Sequence, residues 1–279
     1  MVSTVVISAV VLLGSTSSAD AAWTQARGRL YLKTWNRSIV GRAAYVRARD
    51  IQGTADVYQD HQLNIYGELG LTPDVTFVLQ SVLVGFARYG GRSVGYFGGV
   101  RAGARFALAD GFPLALEVQL GAQPGAERLG MGKLSESGQS YVITPSIGTA
   151  VGSAQLQAGH SWVSTKNEGS TWIVAALGTT VFSNGALSPA FIGSAKLGHG
   201  FASGLSLDVH LPWYHSVKVD PTVNVLGSGD TRYLGIGLGV SYRIVGALAL
   251  NASADGVFYA WSNAATPSLS VGLELTQEP

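Results

Sequence analysis

Residues 63–80 read LNIYGELGLTPDVTFVLQ. Leu63, Ile65 and Leu69 alternate with Asn64, Tyr66 and Glu68, and Gly67 falls on the apolar side. A polar turn, Gly70-Leu71-Thr72-Pro73-Asp74, follows, and then Val75, Phe77 and Leu79 alternate with Thr76, Val78 and Gln80. A period of two sends successive side chains to opposite faces of a strand. The stretch is therefore a hairpin with one Leu/Ile/Phe face and one mostly polar face. Which solvent meets which face decides the fold. A soluble barrel turns its leucines inward, whereas a membrane barrel turns them to lipid and lines its lumen with the polar side chains.

The same grammar recurs over 28–36, 97–108, 114–122, 141–151, 154–163, 205–211, 232–242, 248–255 and 268–275. No segment sustains a 3.6-residue apolar period, so an all-β chain is predicted. Several runs reach about 9–11 residues, the length a tilted strand needs to cross a bilayer. Only 13% of the 279 residues are charged and 37 are Gly, against the roughly 25% charge usual in soluble domains. No run of 18 apolar residues follows the first twenty-odd positions, so no membrane-spanning helix is predicted. A net charge of +1 argues against a nucleic-acid groove. The absence of cysteine excludes disulfides and thiolate metal sites.

The N-terminus carries VVISAVVLL at 5–13, then a polar stretch with Ala19-Asp20-Ala21. This is the pattern of a secretory signal peptide over 1–21, leaving 22–279 as one exported domain. Connections sort by length. Gly70–Asp74, Ala109–Pro113, Gly152-Ser153, Gly198–Gly204 and Ile244–Gly246 are short, while 38–60, 87–96, 123–140, 164–170, 212–230 and 256–267 are long. Tight periplasmic turns and longer outer loops are what outer-membrane barrels show. Trp35, Tyr89, Tyr96, Tyr141, Trp162, Trp172, Trp213, Tyr214, Tyr259 and Trp261 fall where strands meet long loops, and Phe106, Phe112, Phe201 and Tyr242 near short turns. Two aromatic girdles at the membrane interfaces are expected.

Within 171–198, TWIVAALGTTVF and SPAFIGSAKLG flank Ser183-Asn184-Gly185. Counting both as spanning strands gives thirteen, whereas single-chain bacterial barrels have even strand numbers. Twelve strands result if one run belongs to a loop hairpin, and fourteen if a strand has been missed; twelve is the expectation.

Tyr66, Glu68, Gly70, Leu71, Thr72 and Thr76 follow a pattern, roughly YxEYGLT turning into xxTL, in which Leu69 replaces the usual aromatic. In this the stretch resembles Gram-negative outer-membrane barrels, and among them transport-type barrels of the phenol-degradation MetA-like group. The resemblance implies a passive transport barrel delivered by the barrel-assembly machinery. Such barrels usually end in an aromatic residue, and this chain ends LELTQEP, with Leu275 closing the final run.

Candidate site residues follow from the alternation. Arg101 and Arg105 share a face, Glu117 and Gln119 face them from the next strand, and Gln62, Asn64 and Glu68 join from the opening hairpin. They form either a charged constriction that selects solutes or a network of paired charges filling a narrow barrel. Asp208 and His210 face the lumen with Ser206. Residues two apart on a strand are nearly 7 Å apart at about 3.3 Å per residue, too far for a nucleophile–base pair within that strand. His61, His160, His199 and His215 show no metal-ligand spacing. Gly235-x-Gly237-x-Gly239 has no helix after it, so it is not a dinucleotide loop. It makes room for bulky neighbours or relieves curvature.

The sequence thus predicts an up-and-down, antiparallel transmembrane β-barrel of the cell outer membrane. It is expected to pass a small solute, without catalysis, metal or cofactor. A membrane-embedded lipid hydrolase and a plugged structural or adhesive barrel are the alternatives.

Overall fold

The computed structural model describes residues 23–109, 111–163 and 169–277. The signal-peptide segment 1–21 lies outside them. Twelve antiparallel strands form the wall: β1 Leu30–Arg47, β2 Asp50–Thr72, β3 Val75–Tyr89, β4 Gly99–Ala107, β5 Leu114–Gln123, β6 Thr149–Val163, β7 Gly169–Phe182, β8 Ala190–Phe201, β9 Leu205–Ser216, β10 Arg232–Val245, β11 Leu248–Trp261 and β12 Ser268–Gln277. Each pairs with its chain neighbours, and β1 pairs with both β2 and β12. The sheet closes on itself and leaves no edge, the condition for strands in hydrocarbon. Arg92–Tyr96 continues the line of β4 against β3, and Asn263–Ala264 continues β12 against β1.

The solvent question raised by 63–80 is answered by an inversion of burial. Leu120, Leu177, Leu238 and Leu269 are 59–71% exposed on the outer wall. Arg105, Glu68, Asp60 and Thr76 are at most 1% exposed inside it. A chain that exposes its leucines all round and buries its charges is built for lipid outside. The protein is an outer-membrane β-barrel.

Twelve is the strand number, but for a different reason from the one expected. Both runs of 171–198 span the wall, as β7 and β8. The miscounted pair is 141–151 and 154–163. Gly152-Ser153 is not a turn: Gly152 pairs with Leu120 on one side and Val181 on the other, inside continuous β6. A Gly-Ser pair inside a strand carries the same local signal as one in a turn. Tyr141 belongs instead to a small three-stranded sheet, Gly130–Lys133, Ser140–Ile143 and Val223–Asn224.

Two expected long loops are strands. Over 38–60, β1 and β2 run on to a tight turn at Ala48-Arg49, where Ala48 takes a φ of 58°. A register shift between Gly41 and Ala43 breaks the alternation there, which hid the extension. Over 87–96, β3 reverses at Gly90-Gly91, both with positive φ, as a two-residue hairpin turn requires. The remaining long connections, 124–148, 183–189, 217–231 and 262–267, lie at the outer end. The 164–170 connection, expected among them, joins strand ends at the opposite, inner end, and residues 164–168 lie outside the described residues.

The long outer loops fold into the barrel mouth. Leu129, Leu134, Tyr141, Ile143, Val223 and Val225, each at most 2% exposed, pack on Ile39, Ala44, Tyr58, Ala87, Tyr89 and Tyr96 of the inner wall. Each large apolar side chain so buried contributes about 1.5–3 kcal/mol. This corrects the girdle expectation for several rings. Tyr89, Tyr96 and Tyr141 belong to this plug, and Trp35 and Trp172 line luminal recesses. Half-exposed Trp162 and Tyr242, with Phe106, Phe112 and Phe201, do sit on the surface near the inner end.

Candidate functional site: the lumen

Inside the wall the lumen divides in two. On the β2–β6 side, near the inner end, Arg105 is the centre of a closed network. Its Nη2 meets Glu68 Oε1 at 2.8 Å and Glu117 Oε2 at 2.8 Å, and donates to Tyr66 Oη at 2.9 Å. Its Nε donates to Glu117 at 3.0 Å and its Nη1 to the Trp23 carbonyl at 3.1 Å. Gln119 and Gln157 donate to Glu117 at 2.7 and 3.3 Å. Tyr66 donates to Glu68 as well. A buried charge holds its place only when paired and fully hydrogen-bonded, and here each guanidinium nitrogen has an acceptor.

The segment before β1 completes this packing. Gln25 is 4% exposed; its side chain donates to Glu68 at 2.5 Å and its backbone N–H to Thr76 Oγ1 at 2.7 Å. Trp23 packs on Trp172 and Val174. A Cβ on Gly70 would stand 2.0 Å from the Ala26 carbonyl, so only glycine lets this segment pass. Sequence reasoning missed residues 23–26, because a short stretch outside the alternation gives no sign of where it lies.

Gln62 donates to Asp60 and to Tyr96 Oη, both at 2.8 Å, and Tyr96 to Asp60 at 2.6 Å. Asn64 donates to the Gln62 carbonyl at 3.1 Å. Arg101 is two same-face positions from Arg105, with Gly103 between them, opposite Gln80 and Gly121, and outside the Arg105 network.

The opposite side, formed by β9–β12 and β1, is open. His210 Nε2 lies 2.5 Å from Asp255 Oδ1 and its Nδ1 3.3 Å from Asp208. His210 and Asp255 belong to β9 and β11, and meet across the intervening β10 because Gly237 has no side chain. A Cβ there would stand 2.1 Å from His210 Nε2 and 2.3 Å from Asp255 Oδ1. Gly239 clears the same space for Asp208, and Gly235 for Pro212. The glycine triplet is thus a trough in the wall. Ser253 bonds Asp255 at 3.2 Å rather than His210, and Ser206 makes no hydrogen bond to His210 among the described residues. Asp255 went unnoticed in the sequence, although 251, 253 and 255 are the polar positions of its alternating run.

This trough opens into a luminal cavity of about 550 Å³. Tyr31, Lys33, Trp35, Arg37 and Ile39 line it along β1, over about 26 Å of strand at roughly 3.3 Å per residue. Tyr233, His210, Asn251 and Asp255 face them, and Leu226 and Gly227 of the outer loops overhang it. Lys33 pairs with Glu274 at 2.8 Å and Arg37 with Asp60 at 3.4 Å. A larger apolar depression, about 730 Å³, is bordered by outward Leu197, Leu207, Val209, Leu238 and Val240, and belongs to the lipid-facing wall.

A closed twelve-strand wall around a polar lumen that holds a cavity defines the class: a small outer-membrane β-barrel. No protein-family model and no curated protein matches the chain. Among solved structures it is similar to the COG4313 outer membrane channel from Pseudomonas putida F1, at 9% identity, covering 92% of this chain and 98% of that one, with a TM-score of 0.59. It is also similar to the CymD monoaromatic hydrocarbon channel, at 10% identity, covering 91% of this chain and 89% of that one, with a TM-score of 0.42. At such identities the likeness is one of fold, and only the first is close enough to weigh.

Proposed function

We propose that the barrel is a passive channel for a small solute, which crosses by way of the cavity between β1 and β9–β12. The observation that carries this reading is the cavity itself, about 550 Å³ along the inner face of β1. The P. putida structure of similar fold is described as a channel, which supports the same reading. Of the nine residues Gln62, Asn64, Glu68, Arg101, Arg105, Glu117, Gln119, Asp208 and His210, six take one of two roles. His210 lines the path with Asp208 bonded to it, while Glu68, Arg105, Glu117 and Gln119 hold the opposite side shut; Gln62, Asn64 and Arg101 belong to neither group. No catalytic step belongs to this reading, and insertion by the barrel-assembly machinery does. A plugged structural barrel is the second reading, favoured by the apolar loop packing in the mouth. Planar-bilayer recording separates them. Defined conductance steps that grow when residues 129–143 are deleted are expected. A bilayer silent before and after the deletion leaves the plugged barrel. Lipase activity lost in His210→Ala would instead establish the hydrolase.

A further inference from the structure

Two donor groups in the cavity lining, on Asn251 and Arg37, have no acceptor. Asn251 is 6% exposed, and its Nδ2 is buried without an acceptor. Arg37 Nε, two strands away on β1, is in the same condition. Both side chains line the cavity. Trp172 Nε1, also without an acceptor, lines an adjoining recess of about 100 Å³ that shares Lys33, His210, Asn251 and Ser253 with it. The buried amide oxygens left without a donor, Gln25 Oε1, Gln157 Oε1 and Asn224 Oδ1, are not among the lining residues. Native structures rarely leave buried polar atoms unmatched, because each one forfeits its hydration. A cluster of orphan donors facing one space specifies an acceptor to fill it.

The register brings these donors together. Trp35, Gly272 and Asn251 form one row across β1, β12 and β11, and Arg37, Ser270 and Ser253 form the next. Gly272 lets β1 approach closely at the middle of the first row; a Cβ there would stand 2.0 Å from the Thr34 carbonyl oxygen and 2.6 Å from Trp35 Cβ. Lys33 lies two positions from Trp35 on the same face, with its Nζ 5.9 Å from the indole centre. The carboxylates of the cavity and its adjoining recess are already occupied. Asp255 takes His210 and Ser253, and Glu274 takes Lys33 and Ser241. A cationic guest finds no vacant carboxylate, while an anionic one finds the unbonded Arg37 Nε and Asn251 amide, beside a Lys33 already paired with Glu274. Trp35, Tyr233, Ile39 and Leu226 supply apolar surface beside them.

We infer that the cavity binds a small organic anion. Its carboxylate accepts hydrogen bonds from Arg37, Asn251 and Lys33, and its hydrocarbon part lies against Trp35 and Tyr233. This rests on the reading of the lumen as a solute path, and names the class of solute. Charge-assisted bonds to a carboxylate are about twice as strong as neutral ones, so preference by charge is the signature.

The test is a titration of the detergent-solubilised full chain with butyrate, butylammonium or 1-butanol, followed by tryptophan fluorescence. Butyrate is expected to saturate at a concentration at least tenfold below the other two. Arg37→Gln and Asn251→Ala are each expected to weaken butyrate fivefold or more. Equal response to the three probes, or wild-type butyrate binding in both variants, overturns the inference. Asn251→Ala keeps the test valid if Arg37→Gln fails to fold, since the Asn251 amide N–H group removed has no partner to lose. Binding in detergent needs no passage. Selective butyrate binding with a silent bilayer would therefore sink the channel reading alone. Ion conductance without butyrate preference would sink this inference alone.

Discussion

The two sides of the lumen use the same ingredients and reach opposite states. Around Arg105 the ion pairs are 0–8% exposed and every guanidinium nitrogen is bonded. Across the lumen, the Lys33, Arg37 and Asp255 side chains are 29–34% exposed, and each faces a cavity. The difference is one of volume. On the packed side, residues 23–26, Tyr66, Gln119 and Gln157 fill the space between the charges. On the open side, Gly235, Gly237, Gly239 and Gly272 withdraw side chains from the wall. Charge content therefore does not say whether a narrow barrel is open. What decides it is the bulk that stands between the charges.

The comparison breaks most readily at Arg105. Arg105→Ala would leave Glu68 and Glu117 buried without their cation, at a cost of about 3–5 kcal/mol. Urea unfolding in detergent would register this, and a loss under about 1 kcal/mol would show that the network is hydrated rather than packed. The outer wall sets the next scale. Leu177→Arg, near the middle of β7 and 59% exposed to lipid, is expected to cost about 2–4 kcal/mol in vesicle refolding. No cost would place that face in water.

Gly237→Ala tests the trough. The added methyl group would collide with His210 and Asp255, an overpacking expected to cost about 1–3 kcal/mol and to alter single-channel conductance. A variant with unchanged conductance would mean that the trough is not on the solute's path. The smallest effect belongs to the open side. Lys33→Ala loses a partly solvated pair and should cost only about 0–1 kcal/mol in the same urea assay. A loss matching that of Arg105→Ala would erase the distinction between the two sides.

Much of the wall was legible residue by residue. The facing of Leu63/Asn64, Val100/Arg101 and Leu116/Glu117 follows from a period of two, which is a property of the backbone and not of the surroundings. The errors fell where that period was locally ambiguous or interrupted. Gly152-Ser153 carries a turn signal inside β6, and the shift at Gly41 cancels the alternation that would have revealed the outward extension of β1. Aromatic rings misled for another reason. Tyr89, Tyr96 and Tyr141 lie near strand ends in sequence, yet the inward fold of loop 124–148 turned their surroundings from interface to apolar plug.

The amino-acid sequence alone determined an all-β wall with lipid-facing leucines and luminal charges, because side-chain alternation is a local property. It also placed Glu68, Arg105 and Glu117 on one shared face. Only the tertiary structure decided that those three are locked together while Lys33, Arg37 and Asn251 border a cavity. That outcome depends on chain closure and on segments distant in sequence: residues 23–26 entering from one end, loops 124–148 and 217–231 from the other, and glycines on β10 whose space His210, Asp208 and Asp255 take up within the wall. Close packing is a non-local quantity, and no stretch of sequence read by itself contains it.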